Sequence, residues 1–246
     1  MAVMICSVAP VLVLLHGFTH TGRSWDAVER ALGERYRAFA PDIRGHGGAA
    51  ALTPVTLETV FADIDLLEPA PFELAGYSMG GRLAVQYALA RPARVTRLVL
   101  IGASPGIADA GERAARRDAD ERLADQIERL SIDDFALHWA RTPVLADQPP
   151  EVAERVHEDR LRNAPDGLAR ALRGLGTGAL ESVWDRLGEL RIPVLLLVGE
   201  RDQKFLAVAR AMAQNISGAR LEIISGAGHA AHLERPEAVA AAIAQE

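Results

Sequence analysis

Phe72-Glu73-Leu74-Ala75-Gly76-Tyr77-Ser78-Met79-Gly80-Gly81-Arg82 decides how the chain is read. The stretch begins as a short apolar strand, turns through glycines on either side of one serine, and continues into a helix predicted over 81–91. Gly76-x-Ser78-x-Gly80 is the spacing needed by a serine on a sharp strand-to-helix turn, where close-contact neighbours must lack side chains. The helix that follows directs free N–H groups and its positive dipole end back at the serine. Such a five-residue pattern recurs by chance. A strand before it and an amphipathic helix after it make it specific.

The same strand-then-polar-turn rhythm extends outward in both directions. Residues 11–15 form a continuous β-branched and leucine run, as in a strand buried on both faces, and end in His16-Gly17-Phe18-Thr19. A helix is predicted from Ser24, as N-cap, through Trp25, Val28 and Leu32. A strand at 36–40 leads into the glycine-rich loop Pro41-Asp42-Ile43-Arg44-Gly45-His46-Gly47-Gly48, and 56–67 has helical spacing. Residues 95–101 read as another buried strand. From there to about 175 only helical patterns occur, predicted at 111–129, 131–141, 151–163 and 166–175, with loops containing Pro143, Pro149-Pro150 and Pro165. The alternation resumes with a helix at 183–190, strands at 194–198 and 221–224, and helices at 205–214 and 237–244. The expected architecture is α/β: a mostly parallel central sheet with helices on both faces, formed by residues 1–104 and 182–246, with 105–181 inserted as a helical cap.

Composition limits the function classes. At 246 residues, 49% hydrophobic and 24% charged, the chain has the makeup of a globular domain with a sizeable core. A net charge of −6 with no basic tract argues against a nucleic-acid partner. Cys6 is the single cysteine, which excludes an internal disulfide and points to a reducing cytoplasm. Residues 1–15 are apolar but have no basic n-region and run straight into His16-Gly17-Phe18, so they read as strand rather than signal peptide. No apolar run is long enough for a bilayer span, so no membrane partner is expected.

His16-Gly17, Asp42, Ser78, Asp202 and His229 each follow a strand directly, and ligands of parallel sheets bind beyond the strands' carboxyl ends. A serine hydroxyl becomes reactive when a histidine takes its proton and a carboxylate holds that histidine's tautomer. Asp202, in Val198-Gly199-Glu200-Arg201-Asp202, is the candidate acid, and His229, in Gly226-Ala227-Gly228-His229, the candidate base. A plain helix N-cap is the competing reading of Asp202. His232 and Glu234 compete at the C-terminal end, with His232 expected at the start of the last helix and partly solvated. His46 and Asp42 read as structural members of the glycine loop, and His138 and His157 as cap residues without a role. The oxyanion hole is expected from the backbone N–H groups of Phe18 and Met79. Arg82, in the first turn of the elbow helix, is electrostatically misplaced unless an anion sits there, and Lys204 lies near the same rim. From pattern alone, Arg116 reads as a solvated arginine and Trp139 as a packing residue.

The order Ser78, Asp202, His229 and the three motifs resemble the α/β-hydrolase superfamily over the whole chain. A more specific resemblance rests on several segments together: residues 76–82, Ile101-Gly102-Ala103-Ser104-Pro105-Gly106, Ala114-Ala115-Arg116, Trp139 ahead of Thr142-Pro143-Val144, and Gly199-Glu200-Arg201-Asp202 followed by Lys204-Phe205. Together these are similar to the 2-succinyl-6-hydroxy-2,4-cyclohexadiene-1-carboxylate synthases of menaquinone biosynthesis. That resemblance implies a lyase that eliminates pyruvate from 2-succinyl-5-enolpyruvyl-6-hydroxy-3-cyclohexene-1-carboxylate, using the triad serine as base and no metal or organic cofactor. It also implies that Tyr77, Arg82, Arg116, Trp139 and Lys204 meet a small polycarboxylate substrate. The short stretch before 11–15 departs from the family, so the opening antiparallel strands should be short or partly missing. The alternatives are a serine hydrolase of the same fold (an esterase or a C–C bond hydrolase) and, from another class, a non-catalytic ligand-binding protein. Two cations beside the serine argue against a site for neutral esters, and an intact Ser/Asp/His set argues against a mere receptor.

Overall fold

The computed structural model describes residues 9–142, 145 and 148–245. The opening segment, Cys6 and the Pro143-Val144 pair lie outside the described residues.

Six parallel strands form one sheet: β1 Val11–Leu15, β2 Arg37–Phe39, β3 Phe72–Tyr77, β4 Val95–Ile101, β5 Val194–Gly199 and β6 Arg220–Ile224, in the spatial order β2-β1-β3-β4-β5-β6. The central strands are apolar throughout because both of their faces are covered. On β1, Val13 and Leu15 join the core under helices α2 (Leu57–Leu67), α3 (Met79–Ala90) and α8 (Gln203–Asn215). Leu12 and Leu14 point the other way, with Trp25 and Val28, toward α1 (Asp26–Leu32) and α10 (Pro236–Ile243). From β1 the chain steps out to β2, then returns to the other side of β1 for β3. The crevice at the ends of β1 and β3 is therefore the sheet's switch point, where open α/β sheets bind ligands.

Between β4 and β5, helices α4 (Ala110–Ile127), α5 (Ile132–Trp139), α6 (Pro150–Arg160) and α7 (Pro165–Leu175) follow one another. Helices α4, α5 and α7 share a small apolar cluster of Ala124, Ile127, Phe135, Leu168, Ala169 and Leu172, against which Phe18 and Trp139 also pack. Helix α7 lies directly on the loop after β2: a Cβ at Gly174 would stand 1.9 Å from the Val55 carbonyl oxygen. None of these helices is long and apolar enough to cross a membrane, nor is any other among the described residues.

The helix expected at 183–190 is a 3-10 helix, Trp184–Glu189. Two local expectations need correction. Ser24 is not an N-cap. Gly22–Trp25 form a 3-10 turn capped by Thr21, and the buried Ser24 hydroxyl donates to the Thr21 carbonyl oxygen. His232 is fully buried, because the short helix α9 (Ala231–Glu234) turns its ring against Trp25 and Tyr77. Thr56, by contrast, caps α2 reciprocally with Thr59.

His16, His20, His46 and His232 are all buried, and burial lowers each below the ordinary 6.5, to about 4 for His16 and about 3 for His46. Unfolding restores the ordinary value, so below about pH 6.5 the unfolded chain binds more protons than the folded one. Stability from these groups is full above that pH and is lost as pH falls toward the folded values. The buried Asp159, lowered to about 2 in spite of desolvation by its bonds to His20 and Thr21, acts only in a lower window. The urea midpoint is expected to fall steadily between pH 7 and pH 4. A midpoint that stays constant over this range contradicts the assignment.

Candidate active site

The elbow is tight enough to strain the chain. Ser78 has φ 50° and ψ −108°, a positive φ that a non-glycine residue avoids. It is held there by its own N–H donating to the Ile101 carbonyl oxygen at 2.9 Å and by bare backbone on both sides. A Cβ at Gly76 would lie 2.4 Å from the Gly80 carbonyl oxygen, and one at Gly80 would lie 2.2 Å from that of Leu15. The second contact seats the start of α3 on the end of β1, so the loop beginning at His16 lies alongside the serine.

Across the sheet edge, Asp202 and His229 complete a hydrogen-bonded row. The His229 Nδ1–H donates to Asp202 Oδ2 at 2.6 Å, and the Ser78 hydroxyl faces His229 Nε2 at 3.2 Å. The carboxylate fixes the tautomer that leaves Nε2 free to accept the serine proton. Asp202 also caps α8, its Oδ1 accepting the Phe205 N–H at 3.2 Å, so the cap bond and the bond to His229 coexist on one carboxylate. The His229 ring lies between Phe205 (centroids 4.5 Å apart) and Tyr77 (5.3 Å). Tyr77 is nearly enclosed by Gly17, His229 and His232, and burial pushes its hydroxyl far above its ordinary value. It is first of all the wall behind the histidine.

Met79 directly follows the serine, and Phe18 lies in the loop that leaves the neighbouring strand β1. Met79 is the first residue of α3, where helix amides have no intrahelical acceptor. Phe18 sits in a turn closed by the His20 N–H bonding the Gly17 carbonyl at 3.2 Å, with Thr19 at φ 70°. His16 supports the turn: its Nδ1 bonds the Gly17 carbonyl and its Nε2 accepts the Ile43 N–H, each at 2.9 Å. Helix α6 grips the turn from above. Asn163 Nδ2 donates to the Thr19 carbonyl at 2.9 Å, and Asp159 accepts the Thr21 N–H at 3.0 Å and the Thr21 hydroxyl. The Trp139 ring meets the Phe18 ring edge-on at 5.3 Å. Asp42 is structural, accepting the N–H groups of Gly22 and Gly48, and His46 is buried beside His16 and Phe18. His138 is exposed on α5 and His157 half-buried on α6.

The cations divide into two kinds. Arg82 is buried beneath α7, and burial first, then Arg116, lowers it to about 10. Its Nη2 donates to the Leu175 carbonyl at 3.2 Å, while its Nε has no partner among the described residues. Arg160, which its sequence pattern did not single out, is equally enclosed. Burial lowers it to about 10, its Nε reaches the Thr19 hydroxyl at 3.4 Å, and its Nη2 has no partner among the described residues. The available signal was the four-residue spacing of Val152, Val156 and Arg160, which puts an arginine on the buried face of α6. Arg116 is half-exposed and paired with Asp120 at 2.7 Å, and Lys204 is exposed with its ammonium near the Phe205 ring. Buried donors without acceptors are rare in proteins, and two buried guanidinium groups with open N–H bonds near one serine suit an anionic ligand.

Comparison with known proteins agrees with this geometry. The model of the Alpha/beta hydrolase family matches residues 12–242. A protein of Salmonella paratyphi C (strain RKS4594) named 2-succinyl-6-hydroxy-2,4-cyclohexadiene-1-carboxylate synthase is 35% identical over 96% of this chain and 93% of its own. A Bacillus subtilis (strain 168) protein that bears the same name as a provisional assignment is 37% identical over 92% of this chain and 85% of its own. Among solved structures, MenH from S. aureus superposes with a TM-score of 0.91 at 30% identity, covering 97% of this chain and 93% of that one.

Asp159 carries the seam between α6 and the Thr21 turn, so Asp159→Ala leaves a buried N–H and hydroxyl unpaired. The variant is expected to lose about 2–4 kcal/mol in urea unfolding. A loss under about 0.5 kcal/mol, the level of an ordinary surface substitution, contradicts that role.

Proposed function

Because the chain belongs to the alpha/beta hydrolase family, with the 2-succinyl-6-hydroxy-2,4-cyclohexadiene-1-carboxylate synthases among its relatives, we propose that it is a pyruvate-eliminating lyase of menaquinone biosynthesis. The observation that carries this reading is the pairing of a Ser78–His229–Asp202 row with buried, unsaturated guanidinium groups at Arg82 and Arg160. The substrate we infer is 2-succinyl-5-enolpyruvyl-6-hydroxy-3-cyclohexene-1-carboxylate, whose carboxylates supply the acceptors those groups lack.

In the proposed reaction His229 takes the Ser78 hydroxyl proton, and Asp202 stabilises the resulting imidazolium. Ser78 Oγ then removes a ring proton from the substrate. The electron pair of that C–H bond, on the carbon bearing the succinyl group, forms a double bond to the neighbouring ring carbon. The existing ring double bond shifts toward the carbon bearing the enolpyruvyl group, and the C–O bond to that group breaks. Enolpyruvate leaves, receives the His229 proton and becomes pyruvate, so serine and histidine end as they began. The Phe18 and Met79 amides would meet negative charge as it develops. Arg82, Arg160 and Arg116 would hold carboxylates, Lys204 the rim, and Tyr77 and Trp139 the walls. In the same reading residues 1–104 and 182–246 are the catalytic core, 105–181 is the cap closing over it, and the enzyme works in the cytoplasm without metal or organic cofactor.

Adding the enolpyruvyl substrate to the purified protein is expected to release pyruvate, measured with a coupled dehydrogenase. Ser78→Ala, Asp202→Asn and His229→Ala should each lose about 10⁴-fold, and their effects should not add, since the three act as a unit. Mixing and quenching should give no burst and no adduct on Ser78. An acylated Ser78 formed at a competent rate, or ester hydrolysis without pyruvate release, returns the protein to the hydrolases.

Arg82→Ala should raise KM and lower kcat/KM by about tenfold to a hundredfold, the loss of one charge-assisted bond of about 1.5–3 kcal/mol. Unchanged kinetics would remove Arg82 from the substrate site.

A further inference from the structure

The loops that carry Asp202 and His229 are joined by a residue to which the reaction above gives no part. Past the end of the β5–β6 pairing the two loops stay zipped. The Glu200 N–H bonds the Ile224 carbonyl at 3.0 Å, and the Arg201 N–H bonds that of Ala227 at 2.9 Å. Gly199 is so near the Gly228 carbonyl oxygen that a Cβ would stand 2.0 Å from it. Glu234 closes this seam from the far side. Its carboxylate is almost wholly buried, and Oε2 accepts both the Gly228 N–H at 2.8 Å and an Arg201 guanidinium N–H at 2.6 Å. Gly228 immediately precedes the candidate base, and Arg201 immediately precedes the candidate acid.

We infer that Glu234 is a positioning residue, which holds Asp202 and His229 at their hydrogen-bonding separation by clamping the residue before each. Three features distinguish the clamp from an ordinary core ion pair. A neutral carbonyl could accept from both donors, but a carboxylate makes both bonds charge-assisted and so roughly twice as strong, and it alone answers the guanidinium's charge. Gly228 has no side chain where one would meet the carboxylate, a Cβ there standing 2.9 Å from Glu234 Oε1. And the clamped atoms belong to the two loops whose relative placement sets the 2.6 Å His229–Asp202 bond. Glu200 adds a weaker stitch farther out, accepting the Gly226 N–H at 2.8 Å and the Ser225 hydroxyl at 3.1 Å. The inference rests on the triad assignment and not on the identity of the substrate.

The test uses the full chain with Glu234→Gln, Arg201→Met and, as a structural comparator, Glu68→Gln. Glu68 is a buried carboxylate paired with Arg37 near the amino ends of the strands, away from the site. Three readouts are taken beside the thermal melt: kcat and KM for pyruvate release, the rate of Ser78 labelling by a fluorophosphonate, and the far-downfield proton resonance of His229 Nδ1–H. For Glu234→Gln we expect kcat and the labelling rate to fall about tenfold to a hundredfold, the effect of displacing a catalytic group by a fraction of an ångström to an ångström. KM should stay within about twofold, the scale on which a lost binding contact would already show, and the downfield resonance should shift or broaden. Arg201→Met should move the same readouts in the same direction, and it carries the test alone if Glu234→Gln does not fold. Glu68→Gln should lower only the melting temperature. Folded Glu234→Gln or Arg201→Met protein with wild-type labelling and an unmoved resonance overturns the clamp. So does a loss of kcat in Glu68→Gln that tracks the melting temperature as it does in Glu234→Gln. If labelling and resonance respond while the wild type releases no pyruvate, the clamp stands and the lyase reading fails.

Discussion

Everything at the site hangs on the backbone approach of Gly80 to the carbonyls of Leu15 and His16. A β-carbon at residue 80 would sit 2.2 Å from the Leu15 oxygen, which no packing adjustment of flexible side chains could relieve. Because that carbon is missing, α3 begins on top of β1, and the serine turn and the Gly17-Phe18 turn become neighbours. The sheet order makes this adjacency possible, since the crossover to β2 leaves β1 and β3 side by side with their outgoing loops free. The strain at Ser78, a positive φ costing of order 1–3 kcal/mol, is then sustained by the sheet: Ile101 accepts the serine N–H, and the apolar strands on either side cannot shift without opening the core.

The elements legible in the sequence were those with a strong local cause. Continuous apolar runs marked β1 and β4 at their observed limits, and β2, β5 and β6 within a residue, since burial on both faces imposes a composition that loops lack. The helix at 56–67 was legible from the spacing of its apolar residues, and the Thr56 cap is what sets its start in the structure. The misreadings have a common origin. Ser24 has the chemistry of an N-cap, but Thr21 reaches the free amide first, and a hydroxyl in a 3-10 turn is equally content bonding a carbonyl three residues back. His232 looked like a polar residue opening a helix. Its burial is decided by Trp25 and Tyr77, which lie far away in the chain. Arg160 was obscured by the charged residues around it; its four-residue spacing from Val152 and Val156 was the local signal, and the packing of α6 against the Thr19 turn is what makes that face the inside.

The electrostatics of the site run against the chain as a whole. The protein carries net charge −6, yet its two most enclosed guanidinium groups near the serine have open donors. Other arginines are paired with carboxylates: Arg173 is held by Glu121, Asp125 and Glu128, Arg44 by Asp63 and Arg170 by Asp166, although Arg94 and Arg170, which are less enclosed, each also leave a buried Nε without a partner among the described residues. Burying a charged group costs several kcal/mol unless it is paired, and a fold under no other demand would have supplied a carboxylate or used an apolar side chain. Arg82 also stands in the first turn of α3, where the helix dipole opposes it. An incoming anion repays both costs at once, and it does so only when the site is occupied.

Asp202 shows how one residue can serve fold and chemistry without compromise. A carboxylate has two oxygens, and here each has its own direction: Oδ1 accepts the Phe205 amide and anchors the start of α8, while Oδ2 accepts the His229 ring proton. The cap bond holds the carboxylate plane, and the plane aims the second oxygen. The N-cap bond is therefore compatible with the catalytic role proposed for Asp202, because it orients the carboxylate that meets His229. The same economy places His16, whose two ring nitrogens tie the Phe18 turn to the loop after β2. In both cases a polar side chain just past a strand satisfies backbone groups that the strand's end has left unpaired, and the residues thus fixed are those whose separation must not change while a proton moves.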